Sequence, residues 1–376
     1  MIRYLIFAGF YVRVLNTYVN SYITQTPGSG MDARGFHGFA SEVSNDLVFD
    51  TFGIGFTLYT NFLGFIYYLT IDSIFVGGLV SCFFWLLSAI LLFKTLKLFK
   101  VSNNFLISVF LIYSFLPSSI FFTSITLREV FQLFLINLSL YSYTQIYLNR
   151  KYSYYISFLL GIILMSTLHG ALLLFGASLF FLAVVSFLIN QATKDILKKY
   201  LKTIIVILIF IIPIGIYSIN TFTQISNSYD ISEGIFIAVE AYQNILIQED
   251  ARSNYISEYE FSSFADFLTF MPFNFFQYFM EPFPWKIQNL FDLVVFSENF
   301  LRLIILYIII SFITNVNPNF KPLLYAFLGS YLFLELVWSI GTVNWGTAIR
   351  HHVPSLGILL TLFSIILAEK SVKKRA

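Results

Sequence analysis

The sequence predicts an all-α polytopic membrane protein with about ten transmembrane helices. It reads as one integral domain over residues 1–376, with interfacial helices in two long outer loops. Three observations predict this. Of the residues, 58% are hydrophobic and only 11% charged, where a soluble domain carries roughly a quarter charged. That is too little polar surface to face water, and lipid removes the need for it. Apolar runs near the ~20 residues that span a bilayer recur along the chain. Phe and Tyr number 46 and 24, rings suited to lipid-facing surfaces and interface belts.

The first run, 4–23, follows Arg3 and is interrupted by Arg13, and no small-residue cleavage site follows. It reads as a first, somewhat polar span. An outer segment, 24–72, comes next, in which 59–71 is apolar but short and reads as an interfacial or re-entrant helix. Spans are expected at 73–93, 103–120, 127–147, 152–168, 170–190 and 203–219. A second outer segment, 220–295, precedes spans at 296–314, 322–340 and 353–369. Turn chemistry or charge separates them, as at Asn103-Asn104, Asn149-Arg150-Lys151 and Asn317-Pro318.

Orientation follows from Lys and Arg. With ten spans and a cytoplasmic Arg3, one side collects Lys94, Lys97, Lys100, Arg150, Lys151, Lys194, Lys198, Lys199, Lys202, Lys321, Lys370, Lys373, Lys374 and Arg375. That side holds 15 of the 22 basic residues. Among the acids only Asp195 and Glu369 join them. Both termini are then cytoplasmic, the inner loops are short, and any chemistry faces outward. The net charge of +2 argues against a nucleic-acid partner. No glycine-rich phosphate loop is present. The one cysteine, Cys82, forms no internal disulfide.

Polar side chains gather in the outer segments. Asp32 lies in Met31-Asp32-Ala33-Arg34-Gly35-Phe36-His37, and Glu42, Asp46 and Asp50 follow. A carboxylate there could act as a general base for a hydroxyl, or join His37 in holding a divalent metal. The stretch could equally be the solvated face of an interfacial helix. Arg128 and Glu129 stand at the mouth of the fourth span, where an arginine fork can grip a phosphate or simply mark a helix end. His169, between two apolar runs, is a proton-transfer group or a turn residue. Phe270 to Lys286 is aromatic and proline-broken, and reads as a surface helix with Trp285 and Lys286 at headgroup level. A last outer loop places Arg350, His351 and His352 ahead of the final span, three basic groups suited to one anion. The histidines lack zinc-finger spacing, so a structural metal is not expected. Arg13, Arg302 and Glu335 are the few mid-span ionisable candidates, and they lie near helix ends or in weak spans.

Asp32, within DARGFHGFA, resembles the first-loop acid of GT-C-type membrane glycosyltransferases. Leu127 to Phe175 resembles bacterial O-antigen and exopolysaccharide polymerases, with an Arg at a helix start, a basic turn, then a His followed by small residues. GTAIRHHVPSL resembles the Arg–Pro approach to the last helix in both groups. The resemblance implies a transferase using a polyprenyl-(pyro)phosphate sugar donor and a glycan acceptor at the outer face of a bacterial inner membrane, alongside other polysaccharide-assembly proteins. It implies Asp32 as base, with Arg128 and Arg350 holding the lipid phosphate or pyrophosphate. The residues themselves add His37 and His169 as catalytic candidates, and Glu129, Arg252 and His351 as substrate-binding candidates. Two departures stand out: a paired acidic motif is reduced to Asp32, and the 220–295 loop holds only Arg252 and Lys286 as bases. The sequence points to no definite cofactor, and a divalent cation is compatible with the outer carboxylates. The rival expectation is a transporter or flippase of lipid-linked sugars, which calls for ionisable groups at mid-span and an internal repeat.

Overall fold

The structure, a computed structural model, describes residues 1–46, 57–190, 235–247, 253–256, 259–261 and 263–373. Its regular secondary structure is helical, and no strand longer than the single bridge Asn254–Asn344 occurs among the described residues. The helices are α1 (Ile2–Tyr22), α2 (Met31–Asp46), α3 (Thr57–Leu69), α4 (Ile74–Leu98), α5 (Asn103–Phe115), α6 (Pro117–Phe122), α7 (Glu129–Asn149), α8 (Tyr154–Leu168), α9 (Gly170–Asn190), α10 (Ile235–Leu246), α11 (Phe264–Met280), α12 (Leu290–Phe312), α13 (Lys321–Ile340) and α14 (Trp345–Lys373).

Among the described residues four helical stretches are long and apolar enough to cross a membrane: Ile74–Leu98, Leu290–Asn315, Lys321–Ile340 and Trp345–Lys370. At ~1.5 Å per residue each reaches the ~30 Å hydrocarbon thickness. Shorter apolar stretches run over Asn103–Phe115, Tyr154–Leu168 and Ala171–Phe181. α1 and α7 are long enough but less apolar, because each turns polar groups inward. Arg13 and Thr17 of α1 are buried, as are Gln132, Asn137, Ser139, Ser142, Thr144 and Gln145 of α7. The expected span 203–219 lies outside the described residues.

Boundaries depart from expectation where proline acts. The run 103–120 divides into α5 and α6 at Leu116, whose ψ of 121° is the extended setting that a following Pro117 imposes. The final helix begins at Trp345, not near 353. Asn344 Oδ1 accepts from Thr347 N at 2.8 Å and starts the helix. Pro354 is then carried inside it. Arg350, His351 and His352 are therefore helical residues, not loop residues. Pro272 is likewise inside α11.

α7 is the centre of the bundle, packed on α4, α8 and α14. Asn137 Nδ2 donates to Ser88 Oγ at 2.7 Å and to Tyr113 Oη at 3.2 Å. A Cβ on Gly357 of α14 would collide with the Asn137 side chain, so α14 passes α7 backbone-first. α1 lies against α4 and α5. Its Arg13 is fully buried, donating to Thr123 Oγ1 at 2.7 Å and Ser119 Oγ at 2.8 Å with its guanidinium 3.7 Å from the Trp85 ring centroid. Its other face exposes Tyr4, Phe7, Tyr11, Leu15, Tyr18 and Tyr22, an apolar stripe at helical spacing.

The two ends of the bundle differ in charge. Phe99 meets Phe320 at 5.4 Å, Tyr147 Oη donates to Asn319 O at 3.2 Å, and Lys370 lies 3.7 Å from the Phe312 ring centroid. These contacts gather Lys94, Lys97, Lys100, Arg150, Lys151, Lys321 and Lys370 at one end. The opposite end collects the starts of α2, α7 and α14, the α8–α9 turn, and the end of α13.

Candidate functional site

At that opposite end Arg350, on the second turn of α14, bridges two carboxylates from other helices. Its Nη1 pairs with Asp32 Oδ2 of α2, and its Nε lies 3.1 Å from Glu129 Oε1 of α7. The three side chains differ in access: 57% of the Asp32 side chain is exposed, 17% of Arg350 and 3% of Glu129. Glu129 sits in the first turn of α7, where the helix dipole favours an anion. Asp32 has the same position in α2. The site's solvent-facing carboxylate is therefore Asp32, oriented by a mostly buried cation that Glu129 holds from below.

Arg128 stands beside this group. Its Nη1 donates to Leu168 O at 3.0 Å, and its guanidinium lies 5.6 Å from the Phe36 ring centroid. Arg128 Nε and Glu129 Oε2 have no hydrogen-bond partner among the described residues. Arg350 Nε also lacks a hydrogen-bond partner among the described residues, so Arg350 is ion-paired to two carboxylates while both guanidiniums retain an Nε donor.

The two histidines at this end face each other, ring centroids 6.3 Å apart. His169 is extended between α8 and α9, and its Nδ1 accepts from Ala171 N at 3.1 Å. The ring's proton is therefore on Nε2. Burial, then the charges of Arg128 and Arg350, push its pKa from 6.5 to about 3. His351 stacks on Trp338 at 5.5 Å, with Nδ1 2.9 Å from Thr342 Oγ1. That hydroxyl donates to Trp338 O at 2.7 Å, so His351 Nδ1 supplies the proton between them.

The structure thus brings together Asp32, Arg128, Glu129, His169, Arg350 and His351. It keeps His37 apart: His37 Nδ1 lies 3.0 Å from Tyr67 Oη and 3.9 Å from Asp72 Oδ1, binding α2 to α3 and the start of α4. Burial lowers its pKa and Asp72 opposes the shift. Arg252 and Asp50 lie outside the described residues. No group of three or more His, Cys, Asp or Glu side chains arranged to hold a metal occurs among the described residues.

His352 does not join Arg350 and His351. One step round α14, it enters a buried polar core instead. Its Nδ1 lies 2.6 Å from Glu335 Oε2, which also accepts from Tyr278 Oη at 2.9 Å, and Ser355 Oγ donates to Glu335 Oε1. In the same region Arg302 Nη1 donates to Asn299 Oδ1 at 2.7 Å, and Glu298 accepts from Ser118 N at 2.8 Å. The sequence signals for this core are Glu298, Arg302 and Glu335 in apolar runs, and His352 ahead of the last one. They name the ionisable groups but not the hydroxyls and amides that accommodate them. No protein-family profile, no curated protein and no solved structure matches the chain.

Proposed function

We propose that this chain is a membrane glycosyltransferase or repeat-unit polymerase that takes a sugar from a polyprenyl-(pyro)phosphate carrier at the extracytoplasmic face. What carries the reading is the exposed Asp32 carboxylate, held by Arg350 beside the guanidinium of Arg128, at the end of the bundle opposite Lys94, Lys97, Lys100, Arg150, Lys151, Lys321 and Lys370. Ten spans with cytoplasmic termini, in a bacterial inner membrane, complete the reading, because basic residues favour the cytoplasmic side.

In the proposed reaction an acceptor hydroxyl gives its proton to an Asp32 oxygen as its own oxygen attacks the anomeric carbon. The bond from that carbon to the carrier phosphate oxygen breaks, and the phosphate departs with the electron pair. Arg128 donates to the departing oxygens, and Arg350 adds positive charge from beneath. His169, held neutral with a proton on Nε2, serves as a donor and not as a further cation.

The test is transfer from a defined polyprenyl-phosphate sugar by the purified chain in nanodiscs, together with surface-polysaccharide length in cells. Asp32→Asn lowers turnover by about 10²–10⁴, the usual size of general-base catalysis. Unchanged product at normal protein levels removes the assignment.

The buried Glu335–His352 pair and Arg302 favour a second reading, a transporter or flippase of lipid-linked sugars, since intramembrane ionisable groups often mark transport paths. Movement of labelled lipid-linked sugar across the bilayer with no glycosidic bond formed would support it over the transferase.

A further inference from the structure

We propose that His169 and His351 together recognise one hydroxyl of the carrier-linked sugar, the 2-hydroxyl beside its phosphate. The donor is then a sugar with that hydroxyl free, and not its 2-deoxy or 2-acetamido form. This deepens the transferase reading and rests on it for the word donor. The opposite polarity of the two rings stands by itself.

Different neighbours fix the two imidazoles in opposite hydrogen-bonding senses. His169 Nδ1 accepts from Ala171 N at 3.1 Å, so the ring carries its proton on Nε2, a donor. In His351 the sense is reversed. Thr342 Oγ1 has one proton and gives it to Trp338 O at 2.7 Å, so its 2.9 Å bond with His351 Nδ1 takes the proton from the ring. His351 Nε2 is then a bare lone pair, an acceptor. A second proton on that ring would set a third cation beside Arg350 and Arg128. Stacking on Trp338 at 5.5 Å and 18° holds the His351 plane, and the extended backbone of His169 holds the other ring between α8 and α9.

Both Nε2 atoms remain without a hydrogen-bond partner among the described residues. The rings approach edge to face, centroids 6.3 Å apart and planes at 73°. The pair therefore offers one donor and one acceptor. A hydroxyl answers both, giving its proton to His351 Nε2 and accepting from His169 Nε2. A phosphate oxygen only accepts, so it would satisfy His169 and face the lone pair of His351. An ammonium only donates, so it would fail at His169 in the same way.

Position selects which hydroxyl. Each imidazole is tied to one guanidinium of the phosphate-neutralising pair. Arg128 Nη1 donates at 3.0 Å to the carbonyl of Leu168, the residue before His169, and His351 follows Arg350 in α14. With a phosphate on the two arginines, the histidines meet the part of the sugar nearest that phosphate. Two ring atoms adjoin the anomeric carbon. One is the ring oxygen, which only accepts. The other is carbon 2, whose hydroxyl both donates and accepts. A 2-deoxy sugar would leave both nitrogens unpaired, and a 2-acetamido branch would put a bulkier group where one hydroxyl fits.

The test uses the full chain in nanodiscs with glucose or galactose on polyprenyl phosphate and on polyprenyl pyrophosphate. Each donor is paired with its 2-deoxy and its 2-acetamido-2-deoxy counterpart. The readout is the ratio of kcat/KM between a donor and its counterpart in one protein sample, which partial unfolding of a variant does not move. The wild-type chain is expected to favour the 2-hydroxyl donor by about tenfold to a hundredfold, the size of one or two lost hydrogen bonds. His351→Ala and His169→Ala are each expected to lower that preference by about tenfold. Equal turnover of the 2-deoxy donor, preference for the 2-acetamido donor, or an unchanged ratio in both variants overturns the proposal and leaves the transferase standing. Turnover of none of these donors removes the transferase reading, and equilibrium binding of the same lipids then decides the pair. Tighter binding of the 2-hydroxyl form, lost in His351→Ala, keeps the hydroxyl site, and equal binding overturns it.

Discussion

At the scale of single residues, burial decides which member of the ionic group matters for stability. Arg350→Ala leaves the Glu129 carboxylate buried and unpaired, a loss on the order of 3–5 kcal/mol. Asp32→Ala removes a half-exposed partner and costs only ~0–1 kcal/mol. Thermal unfolding in one detergent should separate the two variants clearly, and equal losses would mean that Arg350 is not pinned by Glu129. His169 gives a pH signature with a definite sign. Its folded pKa of about 3 lies below its ordinary 6.5, so between these values only the unfolded chain binds the proton. Stability from this residue is whole above about pH 6.5 and falls as the pH drops toward 3. His169→Gln should flatten that part of a stability-against-pH curve, and an unchanged slope would locate the titration elsewhere. Asp32, Arg128, His169 and Arg350 were legible as candidates because each is a polar group at the edge of an apolar run. Their pairing was not legible. Nothing in the order of residues says that Arg350 meets two carboxylates while Arg128 meets a backbone carbonyl.

At the scale of elements, proline was the main source of misplacement. Pro354 suggests a helix start, since proline suits the first turn. Here Asn344 begins the helix ten residues earlier, and the turn containing Arg350 tolerates the missing backbone donor. Two consecutive histidines then take opposite duties, His351 on Trp338 and His352 on Glu335. The amphipathic α2 and the aromatic α11 were readable as helices, because polar spacing and aromatic content are local properties, although Pro272 is carried inside α11 and does not break it. The close approach of α14 to α7 was not, because it depends on Gly357 lying against the Asn137 side chain. Gly357→Ala should strongly destabilise the chain, as its Cβ meets Asn137. Asn137→Ala should make that substitution less costly, so the double variant loses less than the two single losses added together. Additive losses would show that the helices do not touch there.

At the scale of the whole molecule, charge separates the two ends. The separation was visible in sequence as alternating basic and acidic turns, and the fold gathers those turns in space. A cysteine at Gln25 should react with a membrane-impermeant reagent in intact cells, whereas Lys151→Cys should react only after permeabilisation. The reverse pattern would turn the proposed orientation over. Which faces of α1 and α7 look inward could not be read from hydropathy, because both carry their polar groups into the bundle. The opposed commitments of His351 and His352 have a mechanical consequence. Rolling α14 in either direction would break a buried partnership, so that helix has one rotational setting. α2 packs chiefly on α3 and meets α14 through an exposed aspartate. Tyr59 and Phe62 of α3 pack on Phe131 and Phe84, so the α2–α3 pair is pinned through α3, and the face that α2 turns to α14 is the looser seam beside Arg350.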